Sequence, residues 1–162
     1  MRARYAFFPW AMAVLMVWIA AAAKADVALD RVDACLAERM AAGQPAMPCV
    51  DEAHAACMNV DNETPAVATL CFVEAGKAWN NGIAGTMARI ATKAPDEITA
   101  IARIEVKYDL LSALLQCSRL EELALSVGRD SEEKILRQNA RCKENATGLT
   151  YARLFLRSQD LR

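Results

Sequence analysis

The residues with most chemical potential in this 162-residue chain are six cysteines, one histidine and a set of adjacent carboxylates. The cysteines are Cys35, Cys49, Cys57, Cys71, Cys117 and Cys142. Thiols can serve as redox pairs, metal ligands, nucleophiles or cross-links. The chain has no Cys-x-x-Cys, which removes the usual redox pair and the usual zinc knuckle together. A cysteine–histidine nucleophile needs a free thiol, and an even cysteine count in an exported chain leaves none. Cross-linking is the expected use. His54 lies between Cys49 and Cys57 beside Asp51 and Glu52, where a base or metal ligand can be drawn. An exposed histidine on a helix surface is the plainer expectation.

The doublets Asp51/Glu52, Asp96/Glu97, Glu121/Glu122 and Glu132/Glu133 do not make a two-carboxylate catalytic site. Adjacent helical residues point about 100° apart. Asp96/Glu97 and Glu132/Glu133 fall in first helical turns, where the helix dipole accounts for them. Phosphate-binding glycine loops are absent, and Trp79 reads as core rather than as a ligand platform. Asn62-Glu63-Thr64 and Asn145-Ala146-Thr147 match a glycosylation acceptor, relevant only in a eukaryotic secretory pathway. The expectation is a protein that is not an enzyme and holds no cofactor or metal.

Export is legible at the N-terminus. Arg2 and Arg4 precede an apolar run from Tyr5 to Ala23, and Ala23-Lys24-Ala25 has the small-x-small form of a cleavage site. Residues 1–25 therefore read as a signal peptide and 26–162 as one domain, periplasmic or secreted, with no stable membrane insertion after cleavage. The run is also long enough to stay as an anchor, since a membrane helix needs about 17–25 residues. Residues 26–74 carry nine acids and two bases, a formal −7, while residues 75–162 carry eleven acids and fourteen bases, a formal +3. Bases dispersed among acids exclude an extended nucleic-acid interface. The acidic half suits approach to a cationic partner, and equally a solvated face that keeps a small domain soluble.

The elements that must position these residues are helices. Val27 to Ala42 places Leu29, Val32, Leu36 and Met40 at helical spacing, and Gly43 stops it. Pro48 opens a short helix to about Met58. Thr64 as cap and Pro65 at the next position open a third, with Val67, Leu70, Cys71, Trp79, Ile83, Met87 and Ile90 on its inner face. Asn80-Asn81-Gly82 and Gly85 predict a bend or fraying there. A helix from Pro95 to about Gly128 has Ile98, Ile101, Ile104, Tyr108, Leu111 and Leu115 as its core stripe. Asp130 and Glu133 have capping-box spacing for a last helix bearing Ile135, Cys142, Ala146, Leu149 and Leu156. The fold class is all-α: antiparallel helical hairpins braced by disulfides into a small bundle.

Residues equidistant from a helical turn lie level, as a disulfide requires. Cys117 and Cys142 are centred on the turn at Gly128 to Asp130. Cys35–Cys49 and Cys57–Cys71 share one spacing, so sequential pairing is preferred. An interlocked pairing, Cys35 with Cys57 and Cys49 with Cys71, stays open.

The order Cys57-x13-Cys71, Trp79-Asn80 in the next helix, a helix ending in Cys117, and Cys142-x4-Thr147 resembles the LprI-like family. These are small exported bacterial proteins named as lysozyme inhibitors. The resemblance covers about residues 49–158 and leaves residues 26–48 as an N-terminal extension. Ile83-Ala84-Gly85-Thr86-Met87 stands where the family has a Leu-Asn-x-x-Tyr stretch, and Thr150 where an arginine is usual. The tryptophan and arginine common before the third family cysteine are missing. The resemblance implies a protein partner, lysozyme, and Asp51, Glu52, Asp61 and Glu63 are the acidic residues that would steer encounter with such a cationic enzyme. An envelope interaction or structural module with another partner is the competing expectation.

Overall fold

The computed structural model describes residues 27–159 and 161; the segment read as an export signal lies outside them. All regular structure among the described residues is helical: α1 (Leu29–Ala41), α2 (Met47–Ala53), α3 (Ala55–Met58), α4 (Pro65–Lys93), α5 (Asp96–Val127) and α6 (Glu132–Ser158). No helix among them is long and apolar enough to cross a membrane.

The long helices α4 and α6 form the central pair. On one side α1, α2 and α3 cover them, and α5 packs against α6 and, less extensively, α4. The main core gathers Val32, Leu36, Val50, Trp79, Tyr151 and Phe155 from α1, α2, α4 and α6. Two glycines set the approach of the central pair. A Cβ on Gly82 would lie 2.7 Å from the Tyr151 ring, and one on Gly148 would lie 2.7 Å from Val50 and 3.1 Å from the Trp79 indole. No fraying is found near Gly82: α4 is one continuous helix from Pro65 to Lys93. Asn80 spends its amide on the Gly76 carbonyl at 2.9 Å within the helix, and Gly82 admits the Tyr151 ring.

Three further expectations are corrected locally. Thr64 precedes α4 but does not cap it, since its hydroxyl donates to the Asp61 carbonyl at 3.2 Å. The α6 cap is Ser131, which accepts from the Lys134 amide, rather than Asp130. Pro48 to Met58 is two helices meeting at His54. At the other turn Gly128 ends α5 at φ 65°, the left-handed conformation glycine adopts without a Cβ penalty.

The disulfides pair sequentially, Cys35–Cys49, Cys57–Cys71 and Cys117–Cys142, at Cα separations of 5.8, 5.4 and 5.7 Å. They join α1 to α2, α3 to α4 and α5 to α6. Three such bridges fit a protein that folds outside the reducing cytoplasm.

The break at His54 has a cause. His54 is 1% exposed, not on the surface as its sequence position suggests. The Trp79 indole N–H donates to His54 Nε2 at 2.8 Å. An indole nitrogen can only donate, so Nε2 carries no proton and Nδ1–H donates to Asn145 Oδ1, also 2.8 Å away. The imidazole is thus held neutral in one tautomer. Burial pushes its pKa down, against the Asn145 hydrogen bond and the Asp51 charge. Phe72 and Trp79 both meet the ring edge-on at 5.6 Å. One residue therefore ties the α2–α3 junction to α4 and α6. Tyr151 of α6 does the same for α1, donating to Asp33 Oδ1 at 2.5 Å.

Glu144 is less well served. A Cβ on Gly76 would overlap its carboxyl, so that glycine makes its place, and its Oε2 is buried without a hydrogen-bond partner. Burial raises its pKa to about 7, partly offset by Lys143. The folded chain then holds a proton that the unfolded chain releases near 4.5, so this group makes stability fall as pH rises from about 4.5 to about 7. Glu144→Gln should match wild type in melting temperature near pH 4.5 and melt higher at pH 8. Circular dichroism melts across that range check this; a gap independent of pH would show that the carboxyl is not the cause.

Candidate protein-interaction surfaces

The four acidic residues singled out in the sequence lie on the α1–α3 side, all exposed. Asp51 and Glu52 sit on α2; Asp61 and Glu63 sit in the turn before α4. The Asp61 carboxylate accepts the Glu63 backbone N–H at 2.9 Å, which fixes that pair relative to each other. Arg137 of α6 pins the same turn, donating to Asn62 Oδ1 at 2.8 Å and to the Val60 carbonyl at 3.2 Å. Cys57–Cys71 anchors α3 to α4 next to it, and Cys35–Cys49 anchors α2 to α1.

The two acidic pairs are not joined to each other by any hydrogen bond. Glu52 lines an open groove of about 710 Å³ between α1 and α2, together with Arg31, Glu38, Arg39 and Gln44. Arg39 donates to Gln44 at 3.2 Å there. Asp30 and Glu38 are exposed on α1, so the layer carries six exposed carboxylates against two arginines. None of the six enters an ion pair among the described residues. Their field reaches solvent, screened over about 8–10 Å at ordinary salt.

A second surface was hidden from sequence reasoning. The stripe Ile98, Ile101, Ile104, Tyr108, Leu111 and Leu115, expected in the core, faces solvent with 41–62% exposure. Cys117 explains it. That residue sits two positions, about 200° of helix, from Leu115. The bridge to Cys142 turns the Cys117 face toward α6, and Thr99 and Cys117 are the only buried residues of α5. Ala102, Val106, Leu110, Ala113 and Leu114 supply the partly buried side. On α4, Val67 and Leu70 are likewise exposed, while Ala68, Cys71, Phe72 and Ala75 turn inward.

Between the N-terminal half of α5 and the C-terminal half of α6 runs an open groove of about 620 Å³. Its wall is apolar, from Ile90, Ile101, Val106 and Leu154. Arg153 pairs with Asp109 at 2.9 Å and Arg157 with Glu105 along it. The guanidinium charges are thus matched by carboxylates. Among the described residues no three His, Cys, Asp or Glu side chains are placed to hold a metal ion.

No family model, curated protein or solved structure matches the chain.

Proposed function

We propose that the chain is an exported, non-enzymatic protein-binding module, periplasmic or secreted, whose target is a cationic cell-wall glycosidase of the lysozyme type. The observation that carries this reading is the α1–α3 layer, where six exposed carboxylates, none in an ion pair among the described residues, sit on short elements fixed by two disulfides. Opposite charge steers encounter, and a braced surface loses little conformational freedom on docking. The resemblance in cysteine order and in Trp79-Asn80 names the class of target. The apolar outer face of α5 favours a second reading, an envelope interaction or structural module with a different partner.

Clearing of a peptidoglycan suspension separates the two. Oxidised protein added in molar excess to lysozyme should slow clearing, and the two should co-elute at low salt and separate as salt rises. Unchanged clearing with no salt-sensitive co-elution would leave the second reading standing.

A further inference from the structure

We propose that the cavity between the C-terminal end of α5 and the N-terminal end of α6 binds a primary alkylammonium group, with Asn139, Glu121 and Gln138 as its acceptors. Cys117, Glu121 and Ala124 on α5 and Ile135, Asn139 and Cys142 on α6 recur at intervals of four and three, so each set shares one helix face. The Cys117–Cys142 bridge, at a Cα separation of 5.7 Å, turns the two faces toward each other. Positions of this kind ordinarily close as an apolar seam. Here they enclose about 220 Å³, and Gln138 joins Glu121 and Asn139 on the lining.

Asn139 supplies the observation that points to a ligand. It is 8% exposed, and its amide N–H donates to Glu121 Oε2, which accounts for one end of the side chain. Its Oδ1 is buried without a hydrogen-bond partner. A buried carbonyl that gives up water and gains no donor weakens the fold, so such a group calls for one. Glu121 is half-buried and enters no ion pair among the described residues. The cations of α6 do not serve it: Arg137 is turned to Asn62 and the Val60 carbonyl, and no lysine or arginine lines the cavity. The site lacks both a donor and a positive charge.

One chemical group supplies both. An ammonium carries three N–H donors, matched by Asn139 Oδ1, the Glu121 carboxylate and Gln138 Oε1. Leu120, Ala124, Ile135 and the disulfide give an aliphatic stem its apolar wall. Gln138 is exposed and Glu121 half-buried, so the mouth lies on their side and Asn139 at the floor. An anion is repelled by Glu121, and an apolar guest leaves the carbonyl unpaired. Calcium takes about six to eight oxygens, a set that one carboxylate and two amides do not approach. A free amine and a protein's lysine side chain both present the required group.

Nuclear magnetic resonance titration of oxidised, isotope-labelled protein with n-butylammonium chloride, at constant ionic strength, tests this. The Asn139 side-chain amide and the backbone amides beside Cys117 and Cys142 should shift together and saturate, with a dissociation constant on the order of 1–10 mM for so small a guest. n-Butyltrimethylammonium, with equal charge and no N–H, should bind at least about ten-fold more weakly. Glu121→Gln keeps an acceptor for Asn139 and removes the charge, and should weaken butylammonium by at least about ten-fold. Asn139→Leu should abolish saturation, with circular dichroism melts verifying the fold of both variants. No saturable shift by ~100 mM, equal response to the two ammonium ions, or undiminished binding in Glu121→Gln overturns the proposal. Lysozyme added in place of the amine separates the two sources. A lysine source moves the same resonances and competes with butylammonium; a lysozyme that leaves them in place assigns the site to free amines. Failure of lysozyme to bind the acidic α1–α3 layer therefore does not touch this site.

Discussion

Replacing Trp79 with alanine should cost about 3–5 kcal/mol of folding stability, as expected for emptying a fully buried aromatic site. Trp79 is completely buried, and it stacks at 5.7 Å on Tyr151. Its loss opens a cavity where α2, α4 and α6 meet. It also strands the unprotonated Nε2 of His54, which has no other donor in its hydrogen bonds. Trp79→Phe separates the two contributions, because it keeps most of the ring and removes only the N–H. An acceptor left unsatisfied in the core costs about 1–3 kcal/mol. Urea titrations at unchanged slope give both values. A Trp79→Phe variant as stable as wild type would show that the indole–imidazole hydrogen bond contributes nothing.

The second large effect concerns the disulfides. Each bridge closes a loop of 14 or 25 residues' separation, and chain entropy assigns each about 3 kcal/mol. A domain of this size has only about 5–15 kcal/mol in total, so full reduction should unfold most of the population at 37 °C. The bridge from Cys117 to Cys142 should matter locally as well. Thr99 and Cys117 are the only fully buried residues of α5, and its other contacts, through Val106, Leu110 and Leu114 and the ion pairs of Glu105 and Asp109, are partly exposed. In a Cys117→Ala, Cys142→Ala variant, amide hydrogen exchange should rise throughout the C-terminal half of α5 while α4 keeps its protection. Equal protection of α5 in both proteins, measured at concentrations where each is monomeric, would show that packing on α6 suffices.

Helix class, helix number in the second half and the Cys117–Cys142 pairing follow from periodicity, proline and glycine positions, and level placement across a turn. For the other four cysteines sequence favours sequential pairing but leaves an interlocked one open, and the structure decides for the former. The side each helix presents does not follow as easily. α5 is apolar on two opposite sides: Val106, Leu110 and Leu114 lie on one, Ile104, Leu111 and Leu115 on the other. Its stripe fitted a core as well as an interface. The answer was available in one relation, that a bridged Cys117 and a buried Leu115 cannot face the same neighbour when they lie about 200° apart. His54 was misread for a different reason. Its neighbours in sequence are alanines with Asp51 and Glu52 just before them, which signal no core position, and the partners that draw it inward, Trp79 and Asn145, are 25 and 91 residues away. Glu144 depends on Gly76, a contact that no local pattern signals. The acidic residues are exposed, yet they form a dispersed layer containing Arg31 and Arg39 rather than one cluster.

That dispersal makes the binding claim quantitative. A layer of separated carboxylates contributes through its summed field, so neutralising four of them should slow association and reduce salt dependence more than it speeds dissociation. The most direct measurement is surface-based or calorimetric binding of oxidised protein to a cationic lysozyme at several salt concentrations. It should be run with wild type and with a variant carrying Asp51→Asn, Glu52→Gln, Asp61→Asn and Glu63→Gln. The account predicts saturable binding that weakens with salt in wild type, and a weaker, less salt-sensitive interaction in the variant. Absence of binding by correctly folded wild-type protein at low salt would contradict it.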